Sequence, residues 1–172
     1  MSNVTLPKII FTLLFLTALI IPLFYINLLP DRVATHFDLD NRADGWMSKT
    51  GYLFFHYCII LFFYSIFWGL SVLLPKFPPP LINLPLKDYW LHESRRETTF
   101  KTLQTMMLWI GNLCLALFIY VFHEILKANI GGSQQISSFS WVSVGLFLTG
   151  TVLVVIKYIM RFTKKENQLE EL

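Results

Sequence analysis

Four runs of about 20 mostly apolar residues, each nearly free of charge, decide what this chain can fold into. They cover about residues 9–29, 52–74, 103–126 and 139–160. In hydrocarbon no water meets a bare backbone N–H or C=O, so such runs must satisfy their own backbone as helices. Charged residues make up only 15% of the chain, too few for the polar shell of a soluble domain. The expected fold class is an all-α membrane protein with four transmembrane helices. It forms one membrane domain over 1–172, with a structured outer loop over 30–51 and an inner loop over 75–102. The first run is longer than the ~7–15 residue core of a signal peptide and no cleavage site follows it, so it reads as a retained span. Cys58 and Cys114 fall inside apolar runs and read as small buried hydrophobes, not as a disulfide or zinc pair.

Orientation follows from lysine and arginine. The segment between the second and third runs holds Lys76, Lys87, Arg95, Arg96 and Lys101, and the tail holds Arg161, Lys164 and Lys165. In the first loop Arg32, Arg42 and Lys49 are offset by Asp31, Asp38, Asp40 and Asp44, and the third loop holds only Lys127. Positive loops stay inside, so both termini and the 75–102 segment are expected in the cytoplasm and the other two loops outside. Pro22, inside the first run, is expected to kink it. Ser94 and Glu97 have capping-box spacing, which starts a helix near Arg95 that continues into the third span. Pro78, Pro79 and Pro80 favour a stiff extended path.

The outer loop is dense in polar groups and carries turn signals at Asp40-Asn41 and Asp44-Gly45. Its aromatics, Phe37 and Trp46, are expected to pack the loop onto the helix ends. Once ordered, the loop presents His36, Asp44, Trp46 and Lys49 as candidates for binding a ligand or partner. His56 lies ~7–8 Å beyond Gly51 by helical rise and is expected to face the same pocket. Metal binding by His36, His56 and His123 is a weaker alternative, since no paired-ligand spacing occurs and no metal is expected. Asp38-x-Asp40-x-Arg42 fails the calcium-loop pattern, where a cation replaces an acceptor. With no zinc-protease helix, phosphate loop or catalytic constellation, the chain reads as no enzyme, without cofactor and without nucleic-acid partner. The sequence sets no oligomeric state.

A proline closing the first span, then His-Phe-Asp, Asp-Gly-Trp and Ser-Lys, resembles the bacterial membrane domain of unknown function 1648. Asn83-Leu-Pro-Leu-Lys-Asp-Tyr89-Trp90-Leu, followed by Arg95-Arg96-Glu97, resembles a second signature of that family and makes these residues an inner-loop motif. Asn41 stands where the pattern has glycine and Ala43 where it has proline. The family also forms the N-terminal part of immunity proteins against the sporulation-delay toxin, and the chain is expected to lack their further membrane domain. The resemblance implies a multi-pass protein of the bacterial cytoplasmic membrane. Its expected partners are the lipid bilayer and a peptide or membrane protein. The first functional expectation is extracytoplasmic ligand or partner binding and sensing. The alternative is a small transporter or an accessory subunit.

Overall fold

The computed structural model describes residues 4–165. Four helices are long and apolar enough to cross a membrane: α1 (Thr5–Tyr25), α2 (Lys49–Lys76), α3 (Glu93–Ile130) and α4 (Phe139–Phe162). The chain is a multi-pass membrane protein, and each helix coincides with one of the four apolar runs. The extreme chain ends, whose cytoplasmic location is expected, lie outside the described residues. The helices alternate in direction, so the α1–α2 and α3–α4 connections share one end of the bundle. The α2–α3 segment occupies the opposite end.

The expectation of an all-α chain is corrected at the first connection. Residues 30–51 contain two antiparallel strands, β1 (Arg32–Phe37) and β2 (Ala43–Ser48). The turn between them rests on Asp38, whose carboxylate accepts the amides of Asp40 and Arg42. Asn41 takes the left-handed conformation there, with φ of 63°, a conformation asparagine tolerates better than most residues. The register slips at Thr35 and at Asp44, a bulge on each strand.

A two-stranded hairpin is marginal alone and needs a surface to pack on. Leu29 and Val33 supply the contact, buried with Tyr52 of α2 and Phe122 and Leu126 of α3, and Met47 packs against this cluster. Trp46 does not do so, contrary to expectation. It is 40% exposed, and the Arg32 guanidinium lies 6.0 Å from its ring centre. In β2 the odd positions Ala43, Gly45 and Met47 are half-buried and the even ones exposed, so Trp46 falls on the wrong side of the pleat.

In the bundle centre Phe11, Leu108 and Leu115 are buried among Phe63, Tyr64, Phe67 and Trp68. There α2 widens into a π-helical turn, Tyr64–Gly69. Gly111 lets α3 approach, because a Cβ there would come within 2.8 Å of Phe11 and Phe67. At the opposite end Trp90 is buried with Ile82, Leu84, Phe100 and Phe162. Pro78 is extended, but Pro79–Leu81 closes a 3-10 turn, so the proline run bends where a straight path was expected. The helix start is corrected too. His92, not Ser94, occupies the N-cap of α3, its Nδ1 accepting the Ser94 amide at 3.4 Å. Glu97 pairs with Lys101, so no capping box forms. The cysteines are corrected as well: Cys58 is an exposed free thiol on the apolar surface of α2, and Cys114 is half-buried.

Candidate functional site: the hairpin cap and the cavity beneath it

The hairpin is held from three directions. At its base Lys49 donates twice: its amide to the Asp31 carbonyl at 2.9 Å and its Nζ to the Leu29 carbonyl at 3.0 Å. These bonds fasten the segment following α1 to the start of α2. Beside it Ser48 caps α2, its hydroxyl accepting the Gly51 amide at 3.1 Å. From α3, Asn129 grips Ala34 by both backbone groups. Its Oδ1 accepts the Ala34 amide at 2.8 Å and its Nδ2 donates to the Ala34 carbonyl at 3.0 Å. From the α3–α4 connection, Gln134 accepts the Ala43 amide at 2.9 Å, and the Ile136 amide donates to Asn41 at 3.1 Å. The connection is in turn tied to α3 by Glu124, which is buried, accepts the Ser137 amide and pairs with Lys127.

The motif residues that follow the turn thus have local duties. Gly45 lies opposite His36, and a Cβ at position 45 would come within 2.9 Å of the His36 Cβ. Ser48 caps and Lys49 anchors. The side chains left outward are His36 and Asp44, paired through Nδ1 and Oδ1, and Trp46 against Arg32.

His56 is separate from this group. It is buried one turn below Tyr52 on α2. Pro22 explains its place. A proline at this position has no N–H to give the carbonyl four residues earlier, that of Ala18. His56 Nε2 donates to that carbonyl at 2.9 Å instead, and Tyr57 reaches the neighbouring Leu19 carbonyl at 3.4 Å. A carbonyl only accepts, so Nε2 carries the proton. In the neutral ring Nδ1 is then a bare acceptor, and it has no partner in the protein. The Tyr52 hydroxyl has none either. Both residues line a cavity of about 230 Å³ between α2 and α3, with Thr35 and Met47 of the hairpin and Phe118 and Phe122 of α3 completing much of its wall.

The five outer candidates therefore divide. His36, Asp44 and Trp46 are together on the exposed hairpin, Lys49 is engaged at its base, and His56 lies in the apolar layer beneath. The weaker metal alternative loses its geometry. His123 is exposed on α3, His56 is committed to Ala18 and His36 to Asp44. Among the described residues no group of three or more His, Cys, Asp or Glu could hold a metal ion. In the inner-loop motif, Asn83 is exposed and Trp90 donates from Nε1 to the Phe162 carbonyl at 3.0 Å. The Arg95 guanidinium stacks 3.9 Å from the Tyr89 ring centre while its Nε donates to the Tyr89 carbonyl. Arg96 lies over Phe100. These contacts fold the segment onto α3 and α4 at the end of the bundle away from the cavity.

Asn129, Tyr52 and Glu124 were not singled out for these roles from sequence. Asparagine near a helix end is ordinary C-terminal punctuation, and only the docked hairpin reveals what Asn129 holds. A tyrosine at the end of an apolar run, as Tyr52 is, suits the aromatic belt of any membrane interface and marks no site by itself.

No curated protein and no solved structure matches the chain. One family model does, that of the domain of unknown function DUF1648, over residues 13–69. The match takes in most of α1, the whole hairpin and α2 through its π-helical turn, and stops short of the inner-loop motif. The stretch that holds the hairpin and supplies Pro22, Tyr52 and His56 is the part of the chain similar to DUF1648, about a third of its length.

Proposed function

We propose that this chain is an extracytoplasmic binding or sensing protein, with the hairpin end of the bundle outside the cell. The two-handed grip of Asn129 on Ala34 carries the reading. A connector between two helices needs no such clamp. A recognition surface does, because an ordered surface loses less conformational entropy when it binds. The outward residues His36, Asp44 and Trp46 offer an imidazole, a carboxylate and a half-open indole on one rigid support. Val33 of the hairpin shares one apolar cluster with Ile21 and Tyr25 of α1, Tyr52 of α2 and Phe122 of α3. A ligand that shifts it therefore acts on three helices at once, which suits sensing. The lysine and arginine distribution supports the orientation. Protection against an exported toxic peptide is one member of this functional class.

A deletion strain challenged with exported toxic peptides tests the reading. Complementation with His36→Ala or Trp46→Ala should lose the protection given by the unaltered protein while abundance in the membrane stays the same. Full protection by both variants would exclude the hairpin face as the binding surface.

A further inference from the structure

We infer that the cavity beneath the hairpin is a binding site for a neutral membrane amphiphile bearing a hydroxyl group, entered sideways from the lipid. This site is distinct from the exposed hairpin face and does not depend on it. Tyr52 and His56 are 4% and 2% exposed. Each carries a buried polar atom with no partner in the protein, and both residues line the cavity beside Thr35 and phenylalanine, methionine, valine and isoleucine side chains. An apolar pocket with a few convergent polar groups is the ordinary form of a small-ligand site.

The two polar atoms specify the ligand's head. His56 Nδ1 is an acceptor because Nε2 gives its proton to Ala18. The Tyr52 hydroxyl can donate. One group satisfies both: a hydroxyl that donates to the imidazole and accepts from the phenol. Tyr52 and His56 are neighbours at i and i+4 on one helix face, so both can serve one head group. No lysine, arginine, aspartate or glutamate lines the cavity, so a charged head would lie there uncompensated.

Size and opening specify the tail. About 230 Å³ exceeds the ~150 Å³ cavity that encloses a benzene, and falls short of the ~300 Å³ lower bound of sites that enclose whole ligands. The head and first few carbons fit, and the remainder must leave. Of the lining residues, Phe55 and Val121 are exposed apolar side chains on α2 and α3, so an opening on their side faces hydrocarbon. A tail leaving there stays in hydrocarbon. Long-chain alcohols, isoprenoid alcohols and monoacylglycerols share this chemistry.

The test uses the full chain in lipid nanodiscs and a photoactivatable hexadecanol with its diazirine close to the hydroxyl. Its methyl ether serves as the matched probe that cannot donate. The alcohol should label α2 and α3 peptides saturably, in competition with unlabelled hexadecanol, and several-fold better than the ether. Tyr52→Phe removes a hydroxyl that holds nothing in the fold. It should weaken labelling by both probes about 3- to 10-fold, the value of one net hydrogen bond, because the ether oxygen also accepts from the phenol, and leave the preference for the alcohol over the ether in place. Val121→Trp, on the exposed side of the lining, should reduce labelling by both probes. Equal labelling by alcohol and ether, indifference to Tyr52→Phe, or no saturable component would each overturn the assignment. The last result would leave a cavity occupied by water or loose lipid only.

Discussion

Pro22 and His56 are separated by thirty-four positions, yet one explains the other. The proline leaves the Ala18 carbonyl without its helical donor, and His56 supplies one. A buried carbonyl left unsatisfied costs about 1–3 kcal/mol. His56→Phe should therefore destabilise the protein by about that amount while keeping an aromatic ring in place. Pro22→Ala restores an N–H at position 22 that can take over the carbonyl. In that background His56→Phe should cost about 1 kcal/mol less, because the carbonyl no longer depends on the imidazole. Thermal unfolding of the four proteins in detergent gives the coupling directly. Strictly additive effects would mean that the bond across the helices contributes nothing. The sequence did put Pro22 inside the first span and His56 near the hairpin end. The link between them was not legible, because it depends on which faces of α1 and α2 meet. Near-continuous apolar runs give little rotational information of that kind.

Among the elements, the helices were legible and the hairpin only half so. Apolar runs of spanning length leave little choice of conformation. In the 30–51 stretch the turn signals at Asp40-Asn41 and Asp44-Gly45 were visible, but Val33-Ala34-Thr35-His36-Phe37 shows no apolar alternation that would mark a strand. So short a strand pair is stable only against a surface that the sequence does not name. The bulges at Thr35 and Asp44 also broke the alternation that would have told the faces apart. The start of α3 shows a different failure. Ser94 and Glu97 have capping-box spacing, yet the helix begins one residue before Ser94 and Glu97 turns to Lys101 four residues on. Helix ends are routinely uncertain by a residue or two. The continuity of α3 is the firmer expectation. Backbone amides of Thr98 to Lys101 lie inside the helix and should exchange slowly, with Ser94→Ala leaving their protection within about threefold of the unaltered protein. Exchange of these amides at the rate of an open chain would mean that α3 begins only at the membrane surface.

At the scale of the whole molecule, the two ends of the bundle differ in construction. One is closed by the hairpin, the α3–α4 connection and Asn129. The other is closed by Trp90, Tyr89 and their arginine partners around the ends of α3 and α4. The DUF1648 match covers the hairpin at the first end, but neither Asn129 and the α3–α4 connection nor the second end. The proposed arrangement, an ordered cap outside the cell on a four-span bundle, accounts for the lysine and arginine asymmetry, the exposed hairpin residues and the clamp together. Its most direct test is labelling of single cysteines on intact cells with a membrane-impermeant maleimide, in a background of Cys58→Ser and Cys114→Ser. Leu39 at the hairpin turn is 83% exposed and Val33 beneath the hairpin is 0% exposed. Leu39→Cys should label within minutes, while Val33→Cys should stay unreactive until the membranes are dissolved in denaturant. Equal rapid labelling at both positions would contradict an ordered cap, and no labelling of Leu39→Cys on intact cells would contradict its location outside.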